Sequence, residues 1–208
     1  MRTKASGFTL IELAMASAVL SVALVATVDL VSTSGDALGT GMAAGQLEAH
    51  AGALLERIER QLIQAGAETL VPALPAGEST LSYRQASDYE NEQVQWGTPL
   101  QIEYRPDEAV DGVDNDSDGL VDEANVFLVR NPGLPSQQET LWARGVRSFL
   151  QGEFPNGADD NGNGLVDERG LCFAVEGEAI IIRLSLEGRD TKGRVIIRTA
   201  TTAVRLRN

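Results

Sequence analysis

The sequence has little cysteine, histidine or basic charge, and each shortage excludes a class of protein. Its 208 residues contain one cysteine, Cys172, and one histidine, His50. A lone cysteine excludes an intramolecular disulfide, and a lone histidine removes most nucleophilic triads and histidine-rich metal sites. The 17 Lys and Arg residues stand against 30 Asp and Glu residues, which gives a formal net charge of -13. This acidic balance argues against nucleic-acid binding and favours cations or basic partner surfaces.

What the sequence does have is one long apolar run near its start. A short basic segment, residues 1–7 with Arg2 and Lys4, precedes an apolar run from Phe8 to Val28 in which Glu12 is the single charge. As an α-helix the run would be about 30 Å long, roughly the thickness of a bilayer hydrocarbon core. A carboxylate facing lipid costs on the order of a few kcal/mol. Glu12 therefore indicates a helix that pairs its acid with a positive group of a neighbouring chain.

The junction at residues 7–13, GFTLIEL in one-letter code, resembles the class III signal of type IV pilins and of the pseudopilins of type II secretion systems. The resemblance implies that a prepilin peptidase cuts between Gly7 and Phe8, and that Phe8 is then N-methylated. It also implies that Glu12 meets the α-amino group of an adjacent subunit during fibre assembly. The expected partners are thus other pilins or pseudopilins, bound through the N-terminal helix, together with the prepilin peptidase and the inner membrane.

Two other interpretations of this segment stay open. A cleaved secretory signal would use residues 21–23 or, less well, residues 24–26 as its small-residue cleavage site, so that the mature chain would begin near Leu24 or Thr27. An ordinary single-span anchor would have no use for Glu12. The N-terminus of the mature chain distinguishes processing before Phe8 from secretory processing.

The rest of the chain predicts an amphipathic helix followed by one globular domain. We expect a leader at residues 1–7, a transmembrane and assembly helix at 8–31, an amphipathic continuation at 32–66 and a β-rich domain at 67–208. Glycines between residues 35 and 45 predict a flexible stretch, and Gly66 predicts the helix stop. Apolar residues recur with the 3.6-residue period of an α-helix and therefore lie on one helix face. They are Leu47, Ala51, Leu54, Leu55, Ile58, Leu62 and Ala65.

Beyond the helix the pattern predicts short β-strands. They are expected at residues 80–85, 100–105, 125–130, 140–150, 171–175, 179–187 and 194–207. Alternating apolar and polar residues imply a sheet with one face packed on the core and one face exposed to solvent. The predicted fold class is α+β, with the long N-terminal helix packed on an antiparallel β-sheet, a layout that resembles the pilin architecture. Cys172 falls in one of these strands and is expected to fill the core.

Two acidic segments between predicted strands are copies of one another. Residues 111–123 align without gaps on residues 156–168, at a constant offset of 45. Oxygen-bearing residues at alternate positions, followed by a glycine and a further acid, suit Ca²⁺, which takes about six to eight oxygen ligands. In the first loop the predicted ligands are the side chains of Asp114, Asp116 and Asp118, the carbonyl of Leu120, and Asp122 or Glu123. In the second loop they are Asp159, Asn161, Asn163, the carbonyl of Leu165, Asp167 and Glu168.

These loops differ from an EF-hand, because Asn125 stands where the closing Glu is required and the flanking segments predict strands. They resemble the short calcium loops of thrombospondin type 3 repeats and dockerin-like modules. The second loop has neutral amides at two aligned ligand positions, so weaker binding is expected there. The alternative is that both segments are solvated turns. Against it, the eight acids from Asp107 to Glu123, with no basic residue among them, would repel one another unless neutralised.

Together these features predict a structural assembly protein that is not an enzyme. The leading expectation is a minor pilin of a type IV pilus, a single-pass inner-membrane protein whose C-terminal domain lies in the periplasm and then in the fibre. A type II secretion minor pseudopilin is the nearest alternative, and a secreted or anchored calcium-binding adhesion module is a second one. Catalysis is disfavoured because the carboxylates lie in turn-like inserts with no nucleophile, histidine or phosphate loop nearby.

Overall fold

The computed structural model describes residues 9–90 and 92–206. The chain divides into two compact units, Met1–Met42 and Ala43–Asn208. The predicted leader, the cleavage site between Gly7 and Phe8, and residue 207 at the end of the last predicted strand lie outside the described residues.

A single long helix, α1, runs from Leu10 to Leu62. Within the first unit its apolar side chains are exposed, and the helix contains a stretch long and apolar enough to cross a membrane. The glycines between residues 35 and 45 do not interrupt it. Each glycine costs up to about 1 kcal/mol relative to alanine, but it keeps the backbone N–H that the helix requires. α1 ends four residues before the predicted stop, Gly66.

Within the second unit, α1 buries the predicted apolar stripe. Ala51, Ile58, Leu62 and the following Ala65 have no exposed surface, while Leu47 is half-buried against the core. The stripe packs on inward residues of the sheet, among them Phe173, Ile182 and Leu184. Burial of this apolar surface, at about 25 cal/mol per Å², is what holds the helix on the sheet.

Ten strands follow α1 and a short 3₁₀ helix at Ala67–Thr69. They are β1 (Ala76–Glu78), β2 (Thr80–Tyr83), β3 (Ala86–Glu90), β4 (Gln93–Trp96), β5 (Leu100–Pro106), β6 (Ala124–Arg130), β7 (Gln138–Val146), β8 (Leu171–Glu176), β9 (Ala179–Arg189) and β10 (Val195–Arg205). The main sheet has the order β1-β8-β9-β7-β6-β5-β2, with β10 also paired to β9, and β3 and β4 form a separate hairpin. All of these pairings are antiparallel, which confirms the predicted α+β class.

The sheet determines where the two acidic segments lie. The first connects β5 to β6, and the second lies in the connection from β7 to β8. In the first, the ladder between β5 and β6 ends with Pro106 opposite Ala124, and the Asp107 N–H donates to the Glu123 carbonyl at 3.0 Å. The two acids that open and close this loop are therefore neighbours.

Candidate functional site

The beginning of α1 is organised by Thr9 and Glu12. The Glu12 Oε2 atom accepts hydrogen bonds from the Thr9 N–H and the Thr9 hydroxyl, each at 2.8 Å, and the Glu12 N–H donates to Thr9 Oγ1 at 3.3 Å. This reciprocal arrangement is a capping box, in which two side chains satisfy backbone donors that a helix start leaves free. Glu12 thus stabilises the start of its own helix, a task that the sequence analysis missed although the Thr-x-x-Glu spacing was available to find it.

The rest of the described part of the first unit presents an apolar surface. Leu10 is 88% exposed, and Leu13, Val19 and Leu24 are each more than 60% exposed. Its hydroxyl side chains turn back onto the helix backbone, as in the bond from Ser21 Oγ to the Ser17 carbonyl at 2.8 Å. Hydroxyls bound in this way add little polarity to the helix surface. Lipid or the helices of neighbouring chains are the environments that suit such a surface.

In the first acidic loop, the predicted ligands Asp114, Asp116 and Asp118 shape the backbone. Asp114 accepts from the Ser117 N–H at 2.6 Å and the Gly119 N–H at 2.9 Å. Asp116 accepts from the Asp118 N–H at 3.0 Å, and Asp118 accepts from the N–H of the buried Leu120 at 2.8 Å. Each carboxylate still has lone pairs after these bonds, so its oxygen atoms remain able to bind a cation.

Two groups of carboxylate oxygens converge in this loop. One oxygen from each of Asp107, Asp116 and Glu123 lies within 4.8 Å of the others, and the same holds for Glu108, Asp114 and Asp116. Such spacing suits oxygen ligands around one hard cation. Asp118 and Asp122 belong to neither group.

Glu123 is the buried member of these groups. Only 2% of it is exposed, and its Oε2 atom has no hydrogen-bond partner among the described residues. Burial raises the pKa of Glu123 to about 7, and the negative charges of Asp118, Glu108 and Asp116 act in the same direction. An unpaired buried carboxylate oxygen beside other acids is the group that a bound cation would satisfy.

Asp122, the alternative closing ligand, has a different task in the structure. Its Oδ1 atom accepts from the N–H groups of Asp111 and Gly112, at 2.8 and 2.9 Å. Its own N–H donates to Glu108 Oε1 at 2.5 Å. Asp122 therefore ties the beginning of the loop to its end, and Glu123 is the acid aimed at the cluster.

Close packing fixes the outer side of the loop. Gly119 has a φ of +90°, and a Cβ atom there would lie 1.7 Å from Arg189 Nη1. The Arg189 Nη1 atom donates to the Asp118 carbonyl at 3.1 Å. The Ser148 hydroxyl donates to the Asp122 carbonyl. The positive φ favours a glycine at position 119, and a side chain there would displace the guanidinium group of Arg189.

The second loop repeats this backbone. Gly112, Gly119 and Asp122 have φ values of 81°, 90° and 58°, while their counterparts Gly157, Gly164 and Asp167 have 77°, 87° and 54°. Asp167 accepts from the Asn156 and Gly157 N–H groups, as Asp122 does from its own. The other side-chain bonds also correspond. Asp159 accepts from the N–H groups of Gly162 and Gly164. Asn161 accepts from the Asn163 N–H, and Asn163 accepts from the Leu165 N–H.

Three residues of these loops, Asp107, Glu108 and Glu153, were not predicted as part of the site from the sequence. Glu108 accepts from the Asn115 N–H at 2.5 Å, and Glu153 accepts from the Asn161 N–H at 2.9 Å. Both lie upstream of the aligned segments. The offset of 45 also relates Glu108 to Glu153, so a longer alignment would have found this pair.

Comparison with known proteins identifies one feature of the chain. A family model described as the prokaryotic N-terminal methylation motif matches residues 2–28. No curated protein and no solved structure matches the chain at a significant level.

Proposed function

We propose that this chain, a type IV prepilin-like protein with a class III signal, is a minor pilin that primes or joins the assembly of a type IV pilus. One observation carries the proposal: the methylation motif at residues 2–28 overlaps the start of an apolar helix long enough to cross a membrane. The motif points to a structural subunit, and the helix with its signal supports membrane anchoring and a place in a pilus.

Each part of the N-terminal segment has a task in this proposal. The prepilin peptidase cuts between Gly7 and Phe8, and Phe8 becomes the methylated N-terminus. The apolar helix then anchors the chain by a single span, with the C-terminal domain in the periplasm. On assembly the helix leaves lipid for the fibre core, where Glu12 pairs with the α-amino group of an adjacent pilin, since an unpaired carboxylate in an apolar environment costs several kcal/mol or more.

Calcium is the second part of the proposal. In the first loop Asp107, Asp116 and Glu123 would hold the ion, with Asp114 and Glu108 beside them. The fit rests on the buried, unpartnered Oε2 atom of Glu123 within a group of carboxylates. Bound Ca²⁺ would neutralise these charges and tie the end of β5 to the start of β6.

Two other functions share parts of this evidence. A minor pseudopilin of a type II secretion system would use the same signal, helix and Glu12. An anchored or secreted calcium-binding adhesion module would use the loops but would have no need for Glu12 in assembly. The role of Glu12 therefore separates assembly from adhesion, and the machine on which the chain depends separates the two assembly systems.

Glu12 variants in the host organism test the assembly role. Glu12→Gln removes the charge but keeps a side-chain oxygen for the Thr9 bonds, whereas Glu12→Ala removes both. We expect both variants to be processed and to stay in the membrane fraction, absent from fibres sheared off the cell surface. Recovery of Glu12→Gln in sheared fibres at the wild-type level would contradict the proposed pairing. Loss of the wild-type chain from fibres only when the secretion system is deleted would favour the pseudopilin.

A further inference from the structure

The two acidic loops share a backbone but differ in the side chains that face the buried glutamate. Glu123 and Glu168 are equivalent, and each is 2% exposed. Four acids of the first loop are replaced in the second, and one exchange runs the other way. At the same offset of 45, Asp107, Asp111, Asp116 and Asp118 correspond to Gly152, Asn156, Asn161 and Asn163, while Asn115 corresponds to Asp160. The first loop therefore concentrates negative charge at a position where the second loop does not.

In the first loop nothing among the described residues neutralises that charge. Glu123 Oε2 has no hydrogen-bond partner, and it belongs to the side chain grouped with Asp107 and Asp116. The cation packed against this loop, Arg189, donates to the Asp118 carbonyl and to the Gly193 carbonyl, at 3.1 and 3.0 Å, instead of to a carboxylate. A buried carboxylate without a donor is costly unless a cation or a proton compensates it.

In the second loop a side-chain amide supplies a donor to one of the two glutamate oxygens. The Asn163 Nδ2 atom donates to Glu168 Oε1 at 2.5 Å, whereas Glu168 Oε2, like Glu123 Oε2, has no hydrogen-bond partner among the described residues. Asn163 Oδ1 accepts from the Leu165 N–H at 2.9 Å, just as Asp118 Oδ1 accepts from the Leu120 N–H at 2.8 Å. The remaining atom of the Asn163 side chain is the donor to the glutamate, whereas the remaining atom of the Asp118 side chain is a carboxylate oxygen, which cannot donate.

We propose that the chain binds one calcium ion, at Asp107, Asp116 and Glu123 of the first loop, and that the Asn163 amide stands in for that ion in the second loop. The inference rests on the calcium part of the proposed function and narrows it to one site. It also explains why both loops keep the same backbone: one is closed by an ion and the other by an internal hydrogen bond. The ligand is a hard divalent cation that prefers carboxylate oxygen, and calcium is the ion to test.

Stoichiometry measured on the full-length chain in detergent tests this inference. The chain is stripped with a chelator and titrated with Ca²⁺ in a calorimeter, and the number of bound ions is counted by native mass spectrometry. We expect one ion per chain. Two ions at similar affinity would overturn the inference but leave the calcium part of the proposed function intact, whereas no ion at millimolar Ca²⁺ would overturn both.

Two exchanges between the loops locate the ion. Asp118→Asn gives the first loop the amide of the second, so we expect calcium affinity to fall at least about tenfold and the melting temperature of the metal-free chain to rise by a few degrees. Asn163→Asp removes the amide, so we expect a lower metal-free melting temperature, recovery on addition of Ca²⁺, and a second bound ion. Asp88→Asn removes one charge from the separate hairpin, and we expect it to change neither quantity.

The melting temperatures keep the test decisive if a variant folds poorly. The inference would be overturned if the Asp118→Asn chain lost calcium binding and, without metal, also had a lower melting temperature than the wild type. An amide that replaces the ion must stabilise the loop. The inference would also be overturned if the Asn163→Asp chain bound no second ion and had the same metal-free melting temperature as the wild type. Processing of the chain before Phe8 does not depend on these outcomes.

Discussion

Glu153 closes the second loop by accepting two backbone hydrogen bonds. It is 3% exposed, and its carboxylate accepts from the N–H groups of Asn161 and Asp167, at 2.9 and 3.2 Å. Glu153→Ala leaves both donors without this acceptor, so we expect the free energy of unfolding to fall by about 1–3 kcal/mol. Urea denaturation with a chelator present measures it. Glu178→Ala, at an 86% exposed side chain, serves as the control, and an equal effect of the two substitutions would contradict the account.

Cys172 is a second buried residue whose environment can be tested. It lies in β8 with no exposed surface, as predicted, and burial raises the pKa of its thiol to about 12. The folded chain should therefore resist iodoacetamide at pH 8 and react fully in urea. Alkylation of the native chain at the rate of the unfolded chain would show that the strand opens readily.

The same thiol predicts a pH dependence of stability. Its folded pKa of about 12 is above the unfolded value of about 8.5. The stabilisation is thus complete below about pH 8.5 and is lost as pH rises towards the folded pKa. Between pH 8 and 9.5 we expect the wild type to lose about 1 kcal/mol more free energy of unfolding than Cys172→Ala. Urea denaturation at the two pH values measures this, and parallel losses would contradict it.

Residue patterns pointed to most of the acids in the two loops, but not to which of these acids lie close to one another. The alternating acids Asp114, Asp116 and Asp118 each accept hydrogen bonds from backbone N–H groups of the loop, because an Asx side chain bonds N–H groups close to it in sequence, and their role as calcium ligands stays a prediction. The grouping of Asp107 with Glu123 depends on the ladder between β5 and β6, whose ends meet in space. Whether Asp122 or Glu123 is the inward acid depends on a positive φ at Asp122, which a list of residue types does not reveal.

At the scale of elements, the contact between the end of α1 and the hairpin of β3 and β4 is fixed by a glycine that lies against the ring of a tryptophan. A Cβ atom at Gly66 would lie 2.2 Å from the Trp96 ring, and the Trp96 indole N–H donates to Glu68 at 2.8 Å. Gly66→Ala should therefore displace the ring and lower the free energy of unfolding by about 1–3 kcal/mol.

Gly52 provides the matched control for this prediction. It lies inside α1, ten residues before the end of the helix at Leu62, and a Cβ atom there would meet nothing within 4 Å. Gly52→Ala should raise the free energy of unfolding by up to about 1 kcal/mol, because alanine favours the helix. Urea denaturation of both variants measures the contrast, and a Gly66→Ala chain as stable as Gly52→Ala would show that Trp96 does not hold this junction.

The elements themselves were predictable where apolar periodicity was strong. The stripe of α1 and seven strands of the main sheet were predicted from apolar residues that are buried in the core. The hairpin of β3 and β4 was missed. β3 is exposed along its whole length, so it carries no alternation to detect, and its contact with the rest of the unit through Trp96 is a tertiary feature. β1, with the sequence AGE, is too short to show a period.

At the scale of the whole molecule, the chain combines an apolar helix that needs a lipid or protein environment with an acidic domain that has its own core. Its formal net charge of -13 keeps such a domain soluble and opposes close approach of copies unless the charge is neutralised. A cation in the first loop would lower that repulsion. The apolar segment, by contrast, provides attraction that does not depend on charge, which is why assembly is assigned to α1.

The most direct test of this account is the N-terminus of the mature chain. The protein is recovered from membranes of cells with and without the prepilin peptidase, and its intact mass and N-terminal sequence are determined. We expect a chain that begins at N-methylated Phe8, and an uncut chain that keeps residues 1–7 when the peptidase is absent. A mature chain that begins near Leu24 or Thr27 in both strains would contradict the pilin account and identify the apolar segment as a secretory signal.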